Sequence, residues 1–268
     1  MSSLVTDRGI VHYEVYGRGQ PVIMLHGWLE SWDAWRGTME SLARTHRAYA
    51  LDFWGFGESG KQGVGYSVED YVDMVDQFME RLGIWRAAVL GHSMGGTVSL
   101  GLALRRPDRV QQVAVVGSPI QGKGLALFLQ LAARRCLASL AYRLPGALPL
   151  GVRLFSPLLA RDWKTWYRMF ERDLSRTTLE SFHLSIASLY DTDLSPRLDE
   201  IRMPTLGIYG QRDRIVDPEQ GEVLARGTPH AELHRFEHSG HFPMFDEPER
   251  FYRVLGQFVN HQRVPNVN

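Results

Sequence analysis

The chain has 268 residues, 44% of them hydrophobic, enough for one large α/β domain or for a core domain carrying a smaller insertion. Its 30 Lys and Arg balance 30 Asp and Glu, so the formal net charge is zero and no global field draws it to nucleic acid. The single cysteine, Cys136, excludes an internal disulfide and a thiolate metal cage, and is expected to pack in the core of a protein from a reducing compartment.

Residues 1–9 lack the apolar stretch of a secretory signal, and no run approaches the ~18 apolar residues that a bilayer crossing needs, so the expected setting is the cytoplasm. Gly9 to Gly17 (GIVHYEVYG) alternates as a half-buried strand does, whereas Pro21 to Leu25 (PVIML) is a continuous apolar run suited to a central parallel strand. The sheet is expected to open with a hairpin and then turn parallel. Further strand-like runs at Ala48 to Phe53, Ala87 to Leu90, Val113 to Val116, Thr205 to Tyr209 and Glu232 to Phe236 alternate with helical stretches, which predicts a doubly wound, mostly parallel α/β sheet.

The clearest helix begins at Ser67: Ser67 and Asp70 fit a capping box, Val68, Tyr71, Val72, Val75, Phe78, Met79 and Leu82 share one face, and Gly83 ends it. Between 119 and 200 the alternation stops. Helix-rich sequence punctuated by Pro145, Pro149 and Pro157 takes its place, expected to be a helical lid inserted into a core formed by 1–118 and 201–268. Residues 119–176 hold ten basic side chains against three acidic ones, a local balance of +7. Beside apolar runs such as GLALFLQLAA, that face suits a membrane surface or an anionic substrate, and equally a solvated amphipathic helix. Only 263–268 (RVPNVN) reads as a frayed tail.

The stretch GHSMGG, Gly91 to Gly96, places Ser93 between a buried strand and a helix starting near Met94. A turn that sharp leaves no room for a Cβ at Gly91 or Gly95, and aims the helix N-terminus at charge developing beside the hydroxyl. The five-residue pattern alone is weak, and the strand-before, helix-after context carries the reading. A serine hydroxyl needs a base, and the base an orienting acid. His241 in HSGHFPMFDEPERF follows the last strand-like run, with His238 as the fallback, and the helix expected from Glu247-Pro248 anchors this loop through Phe251, Leu255 and Phe258. Asp213 follows the strand Thr205 to Tyr209, while Asp217, directly before Pro218, is expected to cap a helix. No third ligand accompanies His238 and His241, so no metal site is expected. The chain order Ser93, Asp213, His241 is that of nucleophile-elbow enzymes. The expected oxyanion donors are the backbone N–H groups of Trp28 and Met94.

Together LHGW, LDFWGFGESG, GHSMGG, GQRDRIV and HSGHFPMFDEPERF resemble the α/β-hydrolase superfamily, in the branch of small esterases, perhydrolases and C–C hydrolases with a helical cap. The resemblance implies Ser93 as nucleophile, Asp213 as acid, His241 as base, 119–200 as cap, and no cofactor. Dehalogenases and epoxide hydrolases of that superfamily carry aspartate at the nucleophile position, so Ser93 points to acyl chemistry. The C–C hydrolases extend the oxyanion loop with further glycines, which Trp28-Leu29-Glu30 does not reproduce.

The expected substrate contacts are His26, Gly27, Trp28, His92, Phe242 and Met244; Trp54 is expected to ring the cleft, and Trp32 and Trp35 fit either the cleft or the core. The leading expectation is hydrolysis of an apolar carboxylic ester through an acyl-enzyme on Ser93. A small-molecule receptor without turnover, and acyl transfer, perhydrolysis or C–C hydrolysis with the same three residues, stand as alternatives.

Overall fold

A computed structural model describes residues 2–134, 146–159 and 162–260. Cys136, Pro145 and the tail 263–268 lie outside the described residues. The strands are β1 (Ser2–Val5), β2 (Ile10–Gly17), β3 (Gln20–Leu25), β4 (His46–Leu51), β5 (Ala87–His92), β6 (Val110–Val116), β7 (Thr205–Gly210) and β8 (Ala231–Phe236). They form one sheet in the order β1-β2-β4-β3-β5-β6-β7-β8. The pairs β1·β2 and β2·β4 are antiparallel and all the others parallel, so the chain adopts the doubly wound, mostly parallel α/β architecture.

Two features depart from the sequence reading. Ser2–Val5 is a strand that its short, half-exposed sequence did not announce. The sheet opens with a hairpin and then turns parallel as expected, but the hairpin is β1·β2; β2 pairs onward with β4, and β3 lies on the far side of β4. The cause is burial. Residues 22–25 of β3 are fully enclosed and take the centre of the sheet beside β5, itself buried along its whole length, whereas half-exposed β2 suits a position nearer the edge.

Helices α1 (Arg36–Leu42), α2 (Val68–Arg81) and α3 (Met94–Arg105) follow β3, β4 and β5. Ser67 caps α2 reciprocally: its Oγ accepts from the Asp70 N–H while the Asp70 carboxylate accepts from the Ser67 N–H. Tyr71, Val75, Phe78 and Met79 are buried from that helix, and Gly83 (φ +65°) takes the left-handed turn beyond it. Between β6 and β7 come α4 (Leu127–Ala132), α5 (Ala147–Leu159), α6 (Trp163–Leu174) and α7 (Leu179–Asp191), and no strand among the described residues. The chain closes with α8 (Gln220–Gly227), α9 (Pro243–Asp246) and α10 (Pro248–Asn260). Helix α10 buries Phe251 and Leu255 as expected but Val254 and Val259 in place of Phe258, which is only half-buried. Trp35 is fully enclosed in the core, so of its paired expectations the core reading holds; Trp54, expected to ring the cleft, is also fully enclosed in the core. Among the described residues no helix is long and apolar enough to cross a membrane.

Ser67→Ala removes one half of the reciprocal cap and is expected to cost about 1 kcal/mol in urea unfolding with no loss of catalytic activity.

Candidate active site

Ser93 links β5 to α3 in the left-handed region, at φ 51° and ψ −120°, and its N–H donates to the Val116 carbonyl at 2.8 Å. The flanking glycines are required by backbone. A Cβ on Gly91 would lie 2.1 Å from the Gly95 carbonyl oxygen, and one on Gly95 would lie 2.2 Å from the Leu25 oxygen and 2.6 Å from that of His26. The first turn of α3 therefore presses onto the end of β3, leaving the Met94 N–H, first of the helix, without an intrahelical acceptor. Leu29 is the other non-glycine residue at positive φ (58°) among the described residues, and it lies in the turn after β3 that carries Trp28. Strained residues of this kind cost about 1–3 kcal/mol each and gather where a site demands them.

His241, in the loop after β8, and Asp213, after β7, meet with Nδ1 2.7 Å from Oδ2, both side chains almost wholly buried. The other oxygen of Asp213 accepts the N–H groups of Ile215 at 2.8 Å and Val216 at 3.0 Å, so the carboxylate is held from both ends. Gly117 (φ +53°), at the end of β6, lies beneath the pair: a Cβ there would reach 3.2 Å from His241 Nδ1. Asp217 accepts the Glu219 N–H at 3.0 Å ahead of α8, and His238 is exposed beside Arg212, so the structure brings neither to His241.

Ser93 and His241 line one cavity of about 440 Å³. The core supplies Trp28, Leu29, Glu30 and Phe242 to its wall, and the helices between β6 and β7 supply Phe128 and Leu129 of α4, Trp166 and Phe170 of α6, and Phe182, Ile186 and Leu189 of α7. Several expected substrate contacts are placed elsewhere. His26 is fully buried, donating or accepting within the core: its Nδ1 lies 2.7 Å from the Gly27 carbonyl and its Nε2 accepts the Phe53 N–H at 2.9 Å. Gly27 donates its N–H to Glu30 Oε2 at 2.7 Å, and fully buried His92 faces Glu30. Met244 is buried in α9 away from the cavity lining. Trp28 does line the cavity, and its indole N–H donates to the Phe182 carbonyl at 3.1 Å with the two rings 4.6 Å apart. Nothing in sequence singled out Trp166 or Phe182, since a wall built from several helices has no local motif.

The helical segment is pinned to the core by charge. Arg172 of α6 donates to Asp33 at 2.7 Å and to the adjacent Asp173 at 2.8 Å, Ser31 donates to Asp173 at 2.9 Å, and Arg176 reaches Glu58 at 2.9 Å. Burial pushes the Asp173 carboxyl above its ordinary value against the pull of Arg172. Two of the ten basic residues counted in this region thus face core carboxylates; Lys123, Arg134, Arg153, Lys164 and Arg168 are exposed, and Arg135, Arg143 and Arg161 lie outside the described residues. Below the site, buried Asp52 accepts from Trp32 N–H at 2.7 Å and Glu58 N–H at 2.9 Å, and pairs with His12 at 2.8 Å. Burial works against its charge, yet His12 and those donors hold the carboxyl below the usual aspartate range.

The α/β hydrolase fold family matches residues 20–248. The chain belongs to it. This α/β hydrolase is 28% identical to a 2-hydroxy-6-oxo-6-phenylhexa-2,4-dienoate hydrolase of Comamonas testosteroni, the match spanning 93% of this chain and 91% of that one. It is 29% identical to a pimeloyl-[acyl-carrier protein] methyl ester esterase of Nitrosomonas europaea, over 90% and 96% respectively. In three dimensions it is similar to the enol-lactonase of Burkholderia xenovorans LB400, with a TM-score of 0.83, 21% identity and coverage of 96% and 99%. Relatives of this hydrolase thus include both esterases and C–C hydrolases.

Gly95→Ala sets a Cβ against two backbone carbonyls that no rotamer change can move, and is expected to cost about 3 kcal/mol or more. Gly256→Ala, in α10 with open space around it, should instead gain about 0.5–1 kcal/mol; matched thermal melts compare the two. Because the Asp52 value is depressed on folding, its stabilisation is complete above the ordinary aspartate value near 3.9 and fades as pH falls through the folded one. Asp52→Asn should therefore lose more stability at pH 7 than at pH 3, as measured by urea unfolding at both.

Proposed function

We propose that this α/β hydrolase cleaves a neutral, apolar carboxylic ester through an acyl-enzyme on Ser93. In that reading Ser93 Oγ attacks the carbonyl carbon as His241 Nε2 takes its proton, and Asp213 holds the imidazole by Nδ1. The oxyanion forms against the N–H groups of Met94 and Trp28, where loss of one donor typically costs about 10²- to 10³-fold. The alcohol leaves with the proton from His241, and a water molecule activated by the same imidazole releases the acid. The segment 119–200 serves as a cap, its helices forming the acyl wall.

The observation that carries this choice is the charge of the cavity. Its described lining includes the carboxylates of Glu30 and Asp173 and no Lys or Arg, with aromatic and aliphatic side chains making up nearly all the rest. A dienoate such as the Comamonas relative's name describes bears a carboxylate that such walls would desolvate without a partner, whereas a neutral ester has no charge to desolvate there.

A fluorophosphonate probe should label wild-type protein at Ser93. Turnover of p-nitrophenyl esters should rise with acyl length until the cavity is filled, and Ser93→Ala should lower it at least about 10⁴-fold. Absence of labelling, or turnover that survives Ser93→Ala, overturns the reading; tight binding of an ester without turnover would favour the receptor.

A further inference from the structure

Next to Ser93 lies a second carboxylate–imidazole pair that the reaction above does not use, its imidazole buried and its carboxylate at the cavity wall. The His92 ring is wholly enclosed, with Nδ1 2.9 Å from Glu30 Oε1 and Nε2 2.9 Å from the backbone carbonyl of His241. A carboxylate and a carbonyl only accept hydrogen bonds, so with Glu30 ionised both contacts are satisfied when His92 carries a proton on each nitrogen, as an imidazolium does. Burial opposes its charge, but Glu30, the His241 carbonyl and the more distant Asp213 raise the His92 pKa above its ordinary value. Glu30 is shifted the opposite way: burial opposes ionisation, and His92, the Gly27 N–H and the nearby His26 ring hold its carboxyl low.

These contacts join three segments that are remote in sequence. Glu30 and Gly27 belong to the turn after β3 that carries Trp28 and Leu29; His92 directly precedes Ser93; the His241 carbonyl belongs to the residue read here as the base. A Cβ on Gly27 would fall 2.7 Å from Glu30 Oε1, so glycine there is what lets the carboxylate close onto the loop. The rings of His92 and His241 stand 4.7 Å apart. Breaking a buried ion pair strands its partner charge, so this link resists displacement more than neutral hydrogen bonds do.

We propose that Glu30 and His92 are positioning residues, a carboxylate–imidazolium bridge that sets the oxyanion turn, the nucleophile and the His241 loop in register. The proposal rests on Ser93 and His241 being nucleophile and base. Glu30→Gln keeps the shape but removes the charge that maintains the imidazolium, and a misplacement of about 1 Å at a reacting centre can cost about 10²-fold in rate.

The test uses the full chain labelled with 15N-histidine, the His92 signals assigned by their disappearance in His92→Gln. Wild type should show protons on both ring nitrogens at pH 7, and Glu30→Gln on only one. Glu30→Gln should react with a fluorophosphonate about 10- to 100-fold more slowly, with kcat for p-nitrophenyl butyrate reduced alike and KM within about twofold. An unprotonated nitrogen on wild-type His92 overturns the bridge even if the variant fails to fold. Labelling of Glu30→Gln at the wild-type rate overturns the positioning role, whereas wild type that does not label at all marks the failure of the serine-hydrolase reading itself.

Discussion

The close crossing of α3 over the end of β3 is the contact on which the rest of the site depends. Gly95 meets the Leu25 and His26 carbonyls with no room for a methyl group, and Gly91 meets Gly95 in the same way. At that crossing Ser93 stands at positive φ, and the first N–H of α3, which like any helix start has no intrahelical acceptor, lies next to it in the chain. Because β3 and β5 are adjacent and parallel, the turn after one and the elbow after the other emerge side by side, which is why the Trp28 turn and Ser93 share a cavity wall. The strands β7 and β8 deliver Asp213 and His241 to the same edge by the same logic.

Around that edge, polar groups that look available in sequence are consumed by one another. His26 spends its nitrogens on Gly27 and Phe53, Asp52 ties the Trp32 and Glu58 backbones together, and His92 is taken by Glu30 and the His241 carbonyl. A buried polar group without partners is costly, so a rim this crowded with polar side chains is necessarily a rim of mutual hydrogen bonds. What remains facing the cavity is largely hydrocarbon, with Ser93 and His241 among its few polar groups. The helices of 119–200 complete that wall while Arg172 and Arg176 fasten them to Asp33 and Glu58 of the core.

Much of the framework was legible because its signals are local. Continuous apolar runs mark β3 and β5, the Ser67–Asp70 spacing marks the start of α2, and the glycines flanking Ser93 mark a turn that other residues cannot make. Asp213 and His241, chosen by their places after the last two strands, stand 2.7 Å apart. Strand β1 is not announced because four half-exposed residues carry little pattern, and the partners of β2 are not announced because alternation reports a face and is silent about a neighbour.

Sequence by itself therefore determined the fold class, the elbow, the order of its candidate partners and the helical insertion, each encoded by residues within a turn or a strand of one another. Tertiary structure alone decided which tryptophans are core and which line the cavity, that His26, His92 and Met244 lie behind the wall, and that Glu30 joins His92 across 62 residues. Those outcomes depend on packing and on competition for hydrogen-bond partners between segments remote along the chain, and no periodicity or spacing records either.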